Sequence, residues 1–215
     1  MLPIRNNDGL YSLLCIFLLV ISGWCVKVNA GAPQNDPVKL LQFIADNMIT
    51  SLKANHANLK SNPQIVYSLA NRYIVPYIDI AEMSRRVLPP AIWNGATPSE
   101  QAQFKTAFIK TLIRTYASAL TAYEDQTIQF FPIRGGLADK QTVDVASEIT
   151  SKSGSSPSIR MNYRLIKNGA VWKLIDLSVE GVDMLESFRA QFADILSRGN
   201  MSQLLQKMRT RSNVS

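Results

Sequence analysis

The chain has 215 residues, with 23 basic and 16 acidic side chains and a formal net charge of +7. It contains two cysteines, Cys15 and Cys25, and a single histidine, His56. A lone histidine has no second His or nearby Cys with which to share a metal ion, and a Ser-His-Asp set could use only that one imidazole. The composition therefore argues against a His- or Cys-based metal centre, and we expect His56 to be exposed.

The N-terminus has the pattern of a secretory signal. Arg5 precedes an apolar run over residues 10–21, and residues 28–30 supply small side chains at the −3 and −1 positions of a cleavage site. A membrane-spanning helix needs about 20 apolar residues, which disfavours a retained anchor. Acylation at Cys25 is disfavoured because the bulky Trp24 precedes it. We therefore expect residues 1–30 to be cleaved.

Cleavage after Ala30 would leave residues 31–215, a length that suits one domain with a full-sized core. This segment contains no cysteine, so it can form neither a disulfide nor a thiolate metal site. It carries 21 basic and 15 acidic residues. For an exported protein, this excess favours anionic lipid headgroups or an acidic partner protein over nucleic acid, and charge alone does not choose between the first two.

The first half of the exported segment predicts helices with explicit start signals. Asp36 and Asn62 each precede a proline, which places an N-cap residue before a proline at the first helical position. Asp79 can cap a short helix over residues 80–88, which the Pro89-Pro90 pair ends. Each of these helices has one apolar face and one polar face.

The longest predicted helix covers residues 98–123. It begins with the capping box Thr97-Pro98-Ser99-Glu100. Phe104, Phe108 and Leu112 recur at helical spacing, so this helix is expected to bury one stripe.

Beyond residue 126 the apolar period changes from 3.6 to 2, which indicates strands. A first strand is predicted over residues 127–133, and alternation is clear in residues 142–149 and 159–165. Asn168-Gly169 predicts a type I′ hairpin turn into a fourth strand, residues 171–179.

Two helices are predicted after the strands. Met184, Phe188 and Phe192 form the stripe of the first, which ends at Gly199, and residues 204–208 suggest a short last helix. The order of helices, four strands and helices predicts an α+β fold. We expect a four-stranded antiparallel meander sheet with helices packed against one face.

Several segments together resemble a known family. They are the run Trp172–Val182 after the Asn168-Gly169 turn, the segments 114–117 and 187–192, and Trp93 followed by residues 96–101. In these segments the chain resembles the MlaC-type periplasmic phospholipid-binding proteins, also called the toluene-tolerance auxiliary family. The resemblance covers nearly all of the chain beyond residue 77. It departs at Pro89-Pro90, where many relatives have a glycine-containing turn, so the loop before Trp93 is expected to differ.

The resemblance implies a soluble periplasmic carrier that encloses phospholipid tails in an apolar pocket between the sheet and the helices. It would shuttle lipid between an outer-membrane lipoprotein–porin complex and an inner-membrane ABC transporter with its lipid-binding subunit. That traffic would maintain the lipid asymmetry of the outer membrane. The family implies no cofactor, no enzymatic activity and no nucleic-acid partner, and a monomer is expected.

The chain has aliphatic, aromatic and methionine side chains that could line such a pocket. The candidate lining consists of Leu88, Trp93, Leu112, Tyr116, Val143, Val145, Ile159, Met161, Tyr163 and Leu165. The same side chains could fill a solid core, and the residues alone leave both interpretations open.

Three arginines are candidates for contact with a lipid headgroup or a partner: Arg85, Arg86 and Arg114. A guanidinium can bind a phosphate or carboxylate in bidentate fashion, although ordinary solvated or salt-bridged arginine is the alternative.

Catalytic signals are weak. Asp176 and Glu180 beside Lys173 could form an acid/base pair, but carboxylates on neighbouring strand positions are usually surface groups, and we expect that here. The alternative to a lipid carrier is a small exported hydrolase- or isomerase-like enzyme that uses the same pocket, which would require several titratable groups inside it. A third option is an exported adaptor with a filled core and a surface groove.

Overall fold

The computed structural model describes residues 31–121, 125–154 and 157–212. The predicted signal segment, residues 1–30, and the last two residues of the predicted long helix lie outside these ranges. The helices are α1 (Pro37–Leu59), α2 (Gln64–Tyr73), α3 (Ile80–Val87), α4 (Pro90–Gly95), α5 (Pro98–Thr121), α6 (Met184–Leu196) and α7 (Met201–Ser212). A 3-10 turn, Val75–Tyr77, separates α2 from α3.

The predicted caps explain where three helices begin. The Asp36 carboxylate accepts hydrogen bonds from the backbone N–H groups of Val38 and Lys39, at 3.0 and 3.1 Å. Asp79 accepts one from the N–H of Glu82 at 2.9 Å. At the start of α5, Thr97 and Glu100 form the reciprocal pair of a capping box, because each side chain accepts from the backbone N–H of the other residue. These side chains replace partners that the first turn of a helix lacks.

Two helical features differ from the sequence prediction. The N-cap of α2 is Pro63, not Asn62, although the Asn62 side chain accepts a hydrogen bond from the N–H of Gln64. The loop expected before Trp93 contains the short helix α4, with Pro90 at its first position. A proline is favourable there because its missing N–H would have had no helical partner.

The sheet is an antiparallel meander in the order β1-β2-β3-β4-β5. Its strands are β1 (Thr127–Phe130), β2 (Thr142–Thr150), β3 (Ile159–Asn168), β4 (Val171–Val179) and β5 (Val182–Asp183). The α+β class and the meander are confirmed, but the expectation of four strands is wrong. The fifth strand has two residues and follows a turn in which Glu180 and Gly181 have positive φ angles of 50° and 81°. Such a short strand carries no periodicity, so the sequence pattern could not reveal it.

The predicted hairpin between β3 and β4 is present with a different turn. Asn168 pairs with Val171, so the two loop residues are Gly169 and Ala170. Gly169 has a φ of 61°, whereas Ala170 is not among the positive-φ residues. Glycine at the first loop position is typical of a type II′ turn rather than the expected type I′.

Buried apolar side chains form three clusters. The helical cluster joins α3 to α7 and β4: Met83, Val87, Leu88, Trp93, Phe104, Phe108, Leu112, Ile175, Met184, Leu185, Phe188, Phe192, Leu196, Met201, Leu204, Leu205 and Met208. The sheet cluster joins α1 to β2, β3 and β4: Leu40, Leu41, Val143, Val145, Leu165, Trp172 and Leu174. The N-terminal cluster contains Met48, Leu52, Leu59 and Val66.

Helices contact both faces of the sheet, whereas helices on one face were expected. Leu165 belongs to the sheet cluster, whereas the next residue, Ile166, packs against the helical cluster. Successive residues of a strand point to opposite faces, so the two clusters lie on opposite sides of β3. The partly buried Ile78 packs against both clusters.

Candidate functional site

The deep part of the predicted wall is packed against α1. Val143, Val145 and Leu165 are 4%, 0% and 0% exposed, and they share the sheet cluster with Leu40 and Leu41. Their burial follows from the alternation in β2 and β3, which turns every second side chain toward α1.

Tyr163 stands at the border of this cluster. Its ring packs against that of Phe130, with 5.6 Å between the centroids. Its hydroxyl accepts a hydrogen bond from Ser147 Oγ at 3.3 Å, and Ser147 is 1% exposed. Burial raises the pKa of the Tyr163 hydroxyl, and the hydrogen bond from Ser147 only partly offsets this. Since these two polar groups satisfy each other, this part of the wall can face an apolar ligand without an unpaired polar atom.

Beyond Tyr163, the same face of the sheet carries apolar side chains that are not buried. We call Ile149, Ile159, Met161, Val179 and Val182 the apolar strip. Met161 pairs with Ser147 and Val179 across the strands, Val179 pairs with Val182, and Ile149 pairs with Ile159. Within the described part of the chain, all five lie outside the three clusters. Ile159 is 41% and Val182 64% exposed.

Contiguous exposed apolar surface on a folded protein often marks a binding site. The strip extends the wall formed by Val145 and Tyr163 toward the ends of the strands. It therefore lies between the closed core and solvent. This makes it the best candidate in the described structure for an apolar ligand site. The sequence prediction included Ile159 and Met161 but missed Ile149, Val179 and Val182. Continuing the two-residue alternation along β2 would have found Ile149, whereas the register shift between β3 and β4 breaks the alternation that would lead to Val179.

The candidates on the helices lie in a different cluster. Leu88, Trp93 and Leu112 are 2%, 8% and 8% exposed members of the helical cluster, and the partly buried Tyr116 packs against it. The ring of Trp93 meets that of Phe104 at 6.4 Å. The structure therefore does not bring these four side chains into one buried cluster with the candidates on β2 and β3. Their role as the second wall of a pocket stays a prediction.

The paired arginines of α3 share one carboxylate. Arg85 Nη2 and Arg86 Nε lie 2.7 and 2.8 Å from the two oxygens of Glu82. Burial acts to raise the pKa of Glu82, but the hydrogen bonds and charges of the two arginines outweigh it and lower the pKa. The backbone carbonyl of Arg86 also accepts hydrogen bonds from the Arg189 guanidinium of α6. Arg114 lies partly buried on α5, a separate helix.

Asp176 differs from the sequence expectation of a surface carboxylate, because it is 6% exposed. Its Oδ1 accepts hydrogen bonds from the N–H groups of Leu177 and Leu185, at 2.8 and 3.2 Å. The register between β3 and β4 shifts next to Arg164, which is typical of a β-bulge and can redirect a side chain. Burial, followed by a hydrogen bond and the charge of Asp183, raises the pKa of Asp176 to about 6.

The other polar candidates are ordinary surface groups. Glu180 is paired with Arg160, whose backbone N–H also donates to the Glu180 carboxylate. His56 is exposed near the end of α1. Among the described residues, no group of three or more His, Cys, Asp or Glu side chains is placed to hold a metal ion. In the same part of the chain, no helix combines the length and apolar character needed to cross a bilayer.

Comparison with known proteins decides the family. The model of the MlaC protein family matches residues 42–210, which is most of the chain. The chain belongs to the MlaC family. The match includes every helix from α1 to α7, at least in part, and the entire sheet, so MlaC membership applies to the whole described fold.

Two relatives and one solved structure support this membership. The toluene tolerance protein ttg2D of Pseudomonas putida is 29% identical over 190 residues, which is 88% of this chain and 82% of ttg2D. The intermembrane phospholipid transport system binding protein MlaC of Haemophilus influenzae is 25% identical over 194 residues, 90% of this chain and 89% of that protein. A phospholipid-binding protein from Ralstonia solanacearum, solved in complex with a phospholipid, has a TM-score of 0.74 and 30% identity, covering 82% of this chain and 96% of that one.

Proposed function

We propose that this protein is a periplasmic phospholipid carrier that shuttles lipid between the outer and inner membranes and so maintains outer-membrane lipid asymmetry. The observation that carries the proposal is the match in fold to the Ralstonia solanacearum protein, which was solved with a phospholipid bound. The name of the Haemophilus influenzae relative, an intermembrane phospholipid transport system binding protein, points the same way. We propose the apolar strip of this chain as the location of the ligand.

A carrier must cover the acyl chains of its lipid. Two chains offer about 30 methylene groups, and removing each from water is worth about 0.8 kcal/mol, so bare tails in the periplasm would cost on the order of 20 kcal/mol. A bilayer offers similar burial, so a pocket that roughly matches it allows reversible exchange at both membranes. We propose that the tails lie along the apolar strip and Tyr163, on the face of the sheet that carries the sheet cluster.

Export and the partners are further parts of the proposal. Cleavage after Ala30 would release residues 31–215 into the periplasm. There the carrier would work as a monomer, receiving lipid from or passing it to an outer-membrane lipoprotein–porin complex and an inner-membrane ABC transporter with its lipid-binding subunit. We propose Arg85, Arg86 and Arg114 as the arginines that contact the lipid headgroup or a partner protein.

We propose that the protein binds lipid without acting on it. An enzyme would need several titratable groups converging on the pocket. Asp176 and Asp183 are the closest approach to such a pair, but both carboxylates accept hydrogen bonds from backbone N–H groups in the first turn of α6. Those bonds give them a structural role as caps of that helix. This supports the carrier over the hydrolase- or isomerase-like alternative.

Native mass spectrometry of the exported protein, purified from periplasm without detergent, tests the proposal. We expect a mass increment of one phospholipid per chain, identified after solvent extraction. A mass without lipid that persists after incubation with phospholipid vesicles would refute the carrier function and favour the enzyme or the adaptor.

A further inference from the structure

A recess lies on the face of the sheet opposite to the apolar strip. It has a volume of about 910 Å³ and is bordered by the end of α3, the loop after β1, and strands β2 and β3. Its lining is Arg86, Phe131, Pro132, Ile133, Arg134, Lys140, Thr142, Val143, Asp144, Ala146, Asn162 and Arg164. We call it the basic groove.

The floor of the basic groove is the opposite face of the sheet from the proposed lipid wall. Asp144 pairs with Arg164 and Ala146 pairs with Asn162 across β2 and β3. These four residues alternate along the strands with the buried residues of the sheet cluster, so their side chains point away from it. A ligand in the groove and a lipid on the apolar strip would therefore occupy different sides of the sheet.

The groove has an excess of positive charge. Four cationic side chains line it, against the single carboxylate of Asp144. Asp144 is already paired with Arg164 at 2.9 Å, and Arg86 is paired with Glu82. Lys140 Nζ donates a hydrogen bond to the backbone carbonyl of Arg134 at 3.0 Å, which links these two residues of the loop after β1. Within the described part of the chain, neither Arg134 nor Lys140 forms an ion pair with a carboxylate.

The groove also has an apolar side. Phe131 is 38% exposed, although it is a large aromatic side chain, and Pro132 and Ile133 line the groove beside it. Exposed aromatic and arginine side chains are the residue types that dominate binding energy at protein interfaces. A small inorganic anion could not use the apolar side of the groove.

We propose that the basic groove docks an extended acidic segment of a partner protein. Carboxylates of the segment meet Arg134 and Lys140, and an apolar side chain of the segment contacts Phe131. This goes beyond lipid carriage, and because the two sites use opposite sheet faces, the partner can dock while the carrier is loaded.

Binding of defined peptides tests the proposal. The probe is a fluorescein-labelled peptide of alternating Glu and Ser with one central Leu, measured by fluorescence anisotropy at low salt against the wild-type protein. The test variant is Arg134→Glu with Lys140→Glu. The matched control is Lys53→Glu with Lys60→Glu, which changes the net charge equally at exposed positions on and just after α1. We expect the test variant to bind about tenfold or more weakly and the control to bind as the wild type does, with affinity falling as salt is added.

Three results would overturn the proposal. Absence of binding by the wild type would do so, and so would equal weakening in both double variants, which would indicate attraction by net charge alone. Equal binding of a peptide with Lys in place of Glu would also refute it. If vesicles of phosphatidylglycerol and phosphatidylcholine retain the wild type and the control but not the test variant, while the peptide does not bind, the groove is a membrane contact instead. Lipid occupancy, measured by native mass spectrometry, is expected to be the same in all variants. A result that refutes docking at the basic groove can therefore be distinguished from one that refutes the carrier function.

Discussion

The helical cluster and the apolar strip are built from the same kinds of side chain, yet only one of them is a closed core. In the helical cluster, Phe104, Phe108, Phe188 and Phe192 contact one another with ring centroids 5.4 to 5.9 Å apart. In the strip, Ile159 and Val182 are 41% and 64% exposed. The difference teaches that apolar periodicity identifies an apolar face, while the neighbouring elements determine whether that face becomes a closed core or stays exposed.

The test of this contrast with the largest expected effect is a substitution that leaves a cavity in the helical cluster. Phe108 is 0% exposed and contacts three other phenylalanine rings. Phe108→Ala should lower the free energy of unfolding by about 3–5 kcal/mol, because the transfer energy of the ring is lost and a cavity is left behind. Urea unfolding of the exported segment followed by circular dichroism measures this loss.

The matched change in the strip is Val182→Ala. Since Val182 is 64% exposed, its truncation should change the free energy of unfolding by no more than about 0.5 kcal/mol. If the two substitutions had similar costs, the division into closed core and open strip would be wrong.

Strand β4 links the two regions, and its buried Asp176 should make stability depend on pH. The pKa of Asp176 is raised from 3.8 to about 6, so between these values the folded state binds more protons than the unfolded state. This contribution is fully present below about pH 4 and is lost as the pH rises through about 6. At about 1.4 kcal/mol per pKa unit, the loss can reach roughly 3 kcal/mol. Urea unfolding from pH 4 to 7 measures it.

Two variants separate Asp176 from the other carboxylates. Asp176→Asn keeps a side-chain oxygen for the N–H of Leu185 but cannot titrate, so the difference in stability from the wild type should change between pH 4 and 6 and then level off. Asp183→Asn removes a charge that raises the Asp176 pKa and should move this window to lower pH. A constant difference from the wild type in both variants would contradict the proposed titration.

Local signals predicted most of the fold. Three helix starts were predicted from Asp36, Asp79 and the Thr97-Glu100 pair. This was possible because a capping side chain is only two or three residues from the backbone group that it binds. Alternation in β2 and β3 predicted the buried Val143 and Val145. The two-residue β5 was out of reach, because it has no period and depends on pairing with β4.

The candidate site was less predictable, since its geometry depends on contacts between distant segments. Trp93 and Leu112 have the apolar character of a pocket lining, but four phenylalanines from α5 and α6 draw them into the helical cluster. Asp176 is buried next to a register shift between β3 and β4. No local sequence motif predicts that shift. The family resemblance supplied the expectation of a lipid site, and the sequence identified Ile159 and Met161 of the strip, whereas the strand pairing was needed to add Val179 and Val182.

The sharpest test of the strip as a ligand site is a charge at its centre. Met161 is partly buried and pairs with Ser147 and Val179, yet it lies outside the clusters of the described chain. Met161→Glu should lower phospholipid occupancy about tenfold or more, because a bound tail would have to desolvate the carboxylate. Leu137→Glu is the control, since it places the same charge at a 36% exposed leucine in the loop after β1. Native mass spectrometry reports the occupancy, and circular dichroism confirms that both variants fold. Full occupancy in folded Met161→Glu would place the tails elsewhere, whereas equal loss in the control would attribute the effect to added charge rather than to the strip.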